Sequence, residues 1–240
     1  QWTPDIKFDF IIGNPPYSVS STNKNEWIDN LISDYKKDLN EKSYNSLSDD
    51  YVKFIRYGQH FVDKNGSGVL AYISNNSFVD GLVFRQMRKN LLESFDKIYI
   101  LDLHGNSKKQ DVCIDGSPDE NVFDIMQGVS INIFIKTGKK KATELGEIFH
   151  YDLQGKRELK YDYLNCNDLI TIRWNKLEKK KPNYFFTVKD FSEERNYNKG
   201  FSINDLFVIK AAGIKTHRDS VVIGFNPNEL KNQIETFSIV

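Results

Sequence analysis

Apolar runs alternate with polar and turn-forming stretches along most of the chain. Short β-branched and aromatic runs predict strands at residues 8–12, 69–74, 97–103, 129–136, 147–153 and 169–174. Apolar residues at helical spacing predict helices at residues 26–37, 51–63, 81–94 and 156–164. Strands that alternate with helices indicate an α/β fold with a parallel, doubly wound sheet.

The first predicted strand runs into a rigid turn of four residues, Asn14, Pro15, Pro16 and Tyr17. Neither proline has a backbone N–H, and each restricts the residue before it, so the turn presents carbonyl oxygens in fixed directions and almost no donors. If the Asn14 side-chain oxygen and the Pro15 carbonyl each accept one hydrogen of an exocyclic amine, its nitrogen lone pair can face an electrophile. The ring of Tyr17 offers a face on which an extruded base can stack. These four residues are therefore the predicted catalytic site, and Tyr17 is also a predicted substrate contact.

The segment FDFIIGNPPY resembles the catalytic motif of amino-group DNA methyltransferases, which use S-adenosylmethionine and make N6-methyladenine. The resemblance covers residues 5–138, where the order of helices and strands is that of these enzymes after their catalytic motif. It implies a partial, Rossmann-like methyltransferase sheet and a site-specific enzyme that methylates a flipped adenine in double-stranded DNA. A shorter likeness, over residues 203–223, is to the segment after the methyltransferase core in large restriction-modification polypeptides.

The resemblance also assigns residues at and outside the site. An aromatic residue in the loop before the strand at 129–136 contacts the flipped base in such enzymes, and Phe123 is the matching position; the alternative is that its ring only fills the base of the loop. Their Gly-rich cofactor loop precedes the catalytic motif, so S-adenosylmethionine is expected to be held mainly outside this chain. Gly66 and Gly68 precede a strand instead of following one and predict a turn. No cofactor-binding residue is assigned.

The same reasoning predicts a division of the chain. Residues 1–140 are expected to be the C-terminal half of a catalytic domain whose N-terminal half is missing, residues 141–200 an extension and linker, and residues 201–240 the beginning of a target-recognition or spacer region. Without its neighbour in the missing half, the segment 6–13 is expected to form an exposed sheet edge, which predicts either self-association through that segment or disorder there.

Charge, cysteine content and the length of the apolar stretches limit the classes of protein to which this chain can belong. The 33 lysines and arginines are balanced by 33 aspartates and glutamates, so the chain lacks the basic excess of a free-standing DNA-binding domain. The lysine runs at 139–141 and 179–181 are candidate phosphate contacts, or simply solvated loops. Cys113 and Cys166 do not make a disulfide framework, and no His or Cys pair has metal-ligand spacing, so no metal is predicted. No long apolar stretch or signal is present, which predicts a cytoplasmic protein with no membrane partner.

Two other functions stay open at this point. The same turn can seat any planar amide, so a protein glutamine-N5 methyltransferase is one alternative. A non-catalytic DNA-binding or coupling module is the other, because aromatic residues make up 13% of the chain and can serve as stacking surfaces.

Overall fold

One six-stranded sheet organises the chain up to Lys189. Its strands are β1 (Phe10–Gly13), β2 (Gly68–Asn75), β3 (Lys97–His104), β4 (Val129–Lys136), β5 (Glu147–Asp152) and β6 (Asn175–Leu177). The helices of this part are α1 (Glu26–Lys36), α2 (Asp50–Asn65), α3 (Ser77–Asp80), α4 (Arg85–Ser94) and α5 (Arg157–Cys166), with 3-10 turns at Asn45–Ser48 and Leu82–Phe84. The structure is a computed structural model and describes residues 7–17, 21–41, 43–113, 115–207 and 222–237.

The strand order is β1-β2-β4-β3-β5-β6, and the sheet is mixed. β1 lies parallel to β2 and β3 parallel to β5, but β4 runs antiparallel to both of its neighbours and β6 antiparallel to β5. The α/β architecture is confirmed, and the expectation of a parallel sheet is wrong, because β4 and β6 run antiparallel to their neighbours. Parallel neighbours need a crossover connection, usually a helix. The described residues between β3 and β4 contain no helix, so β4 returns beside β3 in the opposite direction.

Helices α1, α2 and α4 cover one face of the sheet. α1 begins at Asn25, whose side chain accepts from the N–H of Ile28 at 3.0 Å, and it buries Ile28, Ile32 and Tyr35 at helical spacing. α2 ends at Gly66, which has φ 83° and supplies the left-handed residue that closes the helix. The prediction of a turn at Gly66 is therefore confirmed. Packing on this face supports the sheet whose edge strand β1 leads into the turn 14–17.

The predicted helix at 81–94 is interrupted at its start. It begins with the 3-10 turn Leu82–Phe84 and continues as α4, and Gly81 separates it from α3. A side chain at Gly81 would place its Cβ 2.7 Å from the carbonyl oxygen of Ser77, and the guanidinium of Arg88 binds the carbonyls of Phe78 and Gly81. Hydrogen bonds from the Arg88 side chain to these two carbonyls stabilise the interruption.

The predicted strand at 169–174 is wrong. Asp168 accepts hydrogen bonds from the N–H groups of Ile170 and Thr171, at 2.8 and 2.9 Å, and forms a local turn. Ile170 is consequently 91% exposed, and the short strand β6 follows only after Trp174. Here the turn chemistry of one aspartate overrides the β-propensity of the apolar residues that follow it.

β1 is an edge strand, as predicted. Among the described residues it pairs only with β2, and its side chains alternate between the two faces. Ile11 packs against the core, whereas Phe10 is 68% and Ile12 80% exposed. An edge with unpaired backbone groups and exposed apolar side chains is a template for pairing with another chain. Residue 6, the first of the predicted association segment, lies outside the described residues.

We expect Ile12→Lys to reduce self-association of the 240-residue chain. The substitution adds a charge to the exposed side of the edge strand, which disfavours strand pairing between copies. Sedimentation velocity over a range of protein concentrations measures the change. Ile170→Lys is the matched control, because it changes an equally exposed isoleucine away from the edge. A wild-type chain that stays monomeric at every concentration contradicts the prediction, as does an equal effect of the control.

The unit from Asp190 onward contains helical segments only among its described residues. They are Glu194–Tyr197, Ile203–Leu206 and Pro227–Phe237. Asn226 caps the last of these, since its side chain accepts from the N–H of Glu229 at 2.9 Å. Most of the stretch 203–223 lies outside the described residues, so its predicted role as a recognition or spacer segment stays a prediction, as does the functional division at 140 and 200. None of the helices in the described part of the chain is long and apolar enough to cross a membrane.

Candidate active site

The turn 14–17 leaves the carboxyl end of β1. Gly13 ends the strand against the ring of Tyr72, where an added Cβ would lie 3.0 Å from Cε1, so a larger residue would push the turn away from the sheet. Asn14 is exposed, Pro15 is buried and Tyr17 is half-buried. The buried proline anchors the turn while the Asn14 amide faces solvent. The Asn14 side chain is therefore open to solvent at the carboxyl end of β1.

The structure brings together the two aromatic residues that were predicted to contact substrate. The rings of Tyr17 and Phe123 lie with centroids 6.2 Å apart and planes inclined by 59°. Both pack on a small apolar cluster at the second face of the sheet, which includes Leu103, Val122 and Val129. Burial raises the pKa of Tyr17 to about 12, and its hydroxyl has no hydrogen-bond partner among the described residues. Tyr17 therefore offers this site its neutral ring rather than an ionisable group.

Asn121, a residue that the sequence did not single out, shapes the loop that carries Phe123. Its side-chain amide donates to the carbonyls of Gly105 and Gln127 at 3.0 and 2.6 Å, and its oxygen accepts from the N–H of Phe123 at 2.8 Å. Gly105 has φ 78°, and a Cβ there would lie 2.4 Å from the Asn121 Cα. The loop and the end of β3 therefore meet backbone to backbone. The only signal in the sequence was a lone Asn in a polar stretch, which is too common to be informative.

A strand that ends in Asn-Pro-Pro-Tyr, with a second aromatic beside the tyrosine, is the arrangement that the resemblance implied. Residues 1–109 match the Eco57I restriction-modification methylase family. The Type II methyltransferase M.BstVI of Geobacillus stearothermophilus is 33% identical over 108 residues, which are 44% of this chain and 17% of that protein. The predicted resemblance to methyltransferases of restriction-modification systems is confirmed.

Solved structures extend the likeness to nearly the whole chain. The ATP-dependent Type ISP restriction-modification enzyme LlaBIII bound to DNA aligns with a TM-score of 0.72 and 26% identity, over 97% of this chain and 16% of that one. A nuclease-deletion mutant of the Type ISP enzyme LlaGI, in complex with a DNA substrate mimic, aligns with a TM-score of 0.74 and 24% identity, over 96% of this chain and 19% of that one. The chain thus spans less than a fifth of the length of each of these relatives.

The described residues include the turn and the two rings that were predicted to contact substrate. They place the exposed Asn14 and the rings of Tyr17 and Phe123 near the carboxyl end of β1. Gly66 and Gly68, in contrast, close α2 and begin β2, and within the described ranges no glycine-rich loop connects the end of a strand to a helix in the manner of a cofactor loop.

A group of titratable side chains that sequence analysis missed lies farther along the same sheet edge. The parallel pairing of β3 with β5 sets Asp102 beside Asp152 and brings His104 and His150 next to them. His104 Nε2 lies 2.8 Å from an Asp152 oxygen, and His150 Nδ1 lies 3.6 Å from the other. The nearest ligand atoms of Asp102, His150 and Asp152 fall within 4.8 Å of one another. No spacing along the chain could reveal this cluster, because the strand register creates it.

Hydrogen bonds already engage much of this cluster. One oxygen of Asp102 accepts from the Asn76 amide and from the N–H of His104, at 2.9 and 3.0 Å. Burial lowers the pKa of His104, but the hydrogen bond to Asp152 and the charge of Asp102 outweigh burial, so the pKa is raised overall. Burial lowers the pKa of His150. The His104–Asp152 hydrogen bond therefore ties β3 to β5. Neither ring nitrogen of the buried His150 has a hydrogen-bond partner among the described residues.

The two lysine runs lie away from the turn. Lys139, Lys140 and Lys179 line one cavity of about 510 Å³ with Lys97, at the amino end of β3 and the carboxyl end of the antiparallel β4. Lys140 donates to the carbonyls of Glu93 and Glu144 at 2.8 Å. An eight-residue strand spans about 25 Å, so this sheet edge is roughly that far from the edge that carries the turn 14–17. The runs therefore lie far from the turn, and their role as phosphate contacts or solvated loops stays a prediction.

Proposed function

We propose that this chain forms the base-binding part of a site-specific adenine-N6 DNA methyltransferase that takes its methyl group from S-adenosylmethionine within a restriction-modification system. The observation that carries the proposal is the meeting of Tyr17 and Phe123 beside the Asn14-Pro15 turn, at the carboxyl end of β1. An acceptor turn and a pair of rings at one sheet edge suit a flat heterocycle with an exocyclic amine.

The chain's own residues orient the amine. The Asn14 side-chain oxygen and the Pro15 carbonyl each accept one hydrogen of the adenine amino group, which turns the nitrogen lone pair out of conjugation with the ring. S-adenosylmethionine, when bound, supplies an electrophilic methyl group. After transfer the amine releases one proton to water. Positioning and oriented carbonyls account for the rate enhancement, and no residue of the turn has to change its protonation state.

The ring geometry limits how the base binds. Stacking on both sides of a base requires about 7 Å between the flanking rings, at 3.5 Å or more for each contact. The 6.2 Å separation and the 59° inclination of Tyr17 and Phe123 are too small and too oblique for a sandwich. The base is therefore expected to lie face to face with one ring and edge-on to the other, a favourable arrangement for aromatic pairs.

Two substitutions at Tyr17 are expected to distinguish the contribution of its ring to activity from that of its hydroxyl. Tyr17→Ala removes a stacking contact worth about 1–3 kcal/mol, so kcat/KM for DNA should fall about 5- to 150-fold. Tyr17→Phe keeps the ring and removes a buried hydroxyl that has no partner among the described residues, so activity and stability should be retained. Methylation kinetics of both variants in the full-length polypeptide that carries this sequence provide the measurement. Equal losses in the two variants would show that the hydroxyl, and not the ring, matters.

The proposal is tested by methyl transfer from labelled S-adenosylmethionine, catalysed by the full-length polypeptide. Duplex DNA and a glutamine-containing protein substrate are offered in parallel, and the methylated DNA is digested to nucleosides for chromatography. Label in N6-methyladenine at one recognition sequence is the expected result. Label in N4-methylcytosine or in protein glutamine, or no transfer with intact binding of DNA, overturns the proposal and in the last case favours a coupling module.

A further inference from the structure

Helix α5 holds the loop that carries Phe123 by its backbone. The side chains of Lys160, Arg157 and Tyr161 donate to the carbonyls of residues 120, 121 and 122 at 2.6, 2.7 and 2.6 Å. Arg157 also reaches the carbonyl of Phe123 itself, at 3.0 Å. Four consecutive carbonyls of an irregular loop therefore receive their hydrogen bonds from one helix. Both the loop and the helix lie beyond residue 109, outside the segment that matches the methylase family.

Lys160 is the centre of this contact. Its side chain is fully buried and forms an ion pair with the buried carboxylate of Asp119, with Nζ 2.9 Å from Oδ1. Its ammonium also donates to the carbonyl of Leu103 at 2.6 Å, and Asp119 in turn accepts from the N–H of Gly155 at 2.7 Å. With the bond to residue 120, all three ammonium protons have acceptors. Burying a charge is costly unless its partners are well placed, so the pair defines one geometry for β3, the loop and α5.

The contact between α5 and the loop determines the shape of the loop that carries Phe123. The loop makes no regular secondary structure between residues 119 and 127, so its shape depends on the contacts with α5 and on Asn121. None of the three α5 side chains forms a ring contact with Phe123; they act on the backbone on either side of its Cα. The same side chains therefore set where the Phe123 ring lies relative to Tyr17.

We infer that Lys160 and Arg157 are positioning residues for substrate binding: through the backbone of the 119–124 loop they hold the Phe123 ring at the distance from Tyr17 that a flipped base requires. The inference rests on the proposed function and deepens it, because it assigns part of the base-binding geometry to α5. A loosened loop leaves the Phe123 ring present but misplaced, which should weaken capture of the flipped base more than binding of the duplex.

Arg157→Ala is the variant for the test, because the arginine side chain is 36% exposed and its removal leaves no buried charge unpaired. In the full-length polypeptide we expect kcat/KM for DNA methylation to fall about tenfold. A duplex with 2-aminopurine at the target adenine should show a smaller fluorescence rise, and duplex affinity should change less than twofold. Hydrogen exchange at residues 121–123 should accelerate. Lys156→Ala is the matched control, since it removes a neighbouring exposed cation that has no part in the contact and should leave all four quantities unchanged.

A double-mutant cycle decides between positioning and general stability. If Arg157 acts through Phe123, Arg157→Ala should add nothing to Phe123→Ala, and the double variant should have the rate of Phe123→Ala alone. Lys160→Met should repeat the pattern with a larger loss, provided that its thermal unfolding stays cooperative. Additive losses overturn the inference, and so does an Arg157→Ala enzyme with faster exchange in the loop but a wild-type rate. Failure of the proposed function has a different signature: the wild-type polypeptide methylates no DNA, or Phe123→Ala has the wild-type rate, and the positioning role then falls with it.

Discussion

Methyl transfer to adenine is expected to fall by about 100-fold or more when Asn14 is replaced by alanine in the full-length polypeptide, by analogy with the loss of one oriented hydrogen-bonding group from an active site. Pro15 would then be the only acceptor in the turn for the two amine hydrogens, and the nitrogen lone pair would stay conjugated with the ring. Asn14 is exposed and ends no packed element, so the fold should not change. The effect should appear in kcat, because the amine hydrogen bonds strengthen as the nitrogen becomes tetrahedral.

Single-turnover methylation with labelled cofactor measures this effect directly. Asn14→Asp is the matched control, since it keeps an acceptor oxygen at the same position and should retain more activity than the alanine variant. Circular dichroism and duplex-DNA affinity should be unchanged in both. An alanine variant with a rate within tenfold of wild type would contradict the assignment of Asn14 as an acceptor. A large loss accompanied by lost DNA binding would do so as well.

The strands that border the site could be predicted closely from the sequence. Apolar runs bounded by Gly, Asn and Lys gave β4 its observed limits, and placed β2, β3 and β5 within about a residue of their ends. These strands are buried in the sheet. The burial of apolar side chains that stabilises each strand is also what appears in the sequence as an apolar run. The direction of β4 was missed, although the lack of a helical pattern between β3 and β4 was a usable signal. The edge position of β1 was predicted because its expected neighbouring strand belongs to the missing half of the domain. The residue pattern of β1 itself did not indicate it.

The site itself could be predicted only where its chemistry is local. Asn14 to Tyr17 form one short rigid turn, so their roles could be inferred from adjacent residues. Phe123 came from the family resemblance, and the structure places it beside Tyr17. The burial of Lys160 could not be predicted, because lysine is almost always exposed and only the tertiary pairing with Asp119 explains it. Contacts between residues distant in sequence are invisible to periodicity.

The largest stability loss is expected for Arg88→Met. Arg88 is fully buried, and its guanidinium donates five hydrogen bonds to the carbonyls of Phe78, Gly81, Asn183 and Tyr184, at 2.7 to 3.0 Å. Burial lowers its pKa to about 9, so the group stays protonated at pH 7 and keeps all of its donors. It ties the segment before Lys189 to α3 and α4. Methionine fills much of the same volume but donates nothing.

Each buried carbonyl left without a donor costs about 1–3 kcal/mol, so the free energy of unfolding should fall by about 4 kcal/mol or more. Urea denaturation of the 240-residue chain at pH 7 measures it. Lys89→Met on the next residue of α4 is the control: the Lys89 side chain is partly exposed and pairs with Glu93 at 3.6 Å, a contact worth about 0.5 kcal/mol or less. If Arg88→Met costs no more than that control, water must satisfy the four carbonyls, and the segment 183–184 is not held by Arg88. A large loss for Arg88→Met alone would show that a single cation with only neutral partners fixes this part of the fold.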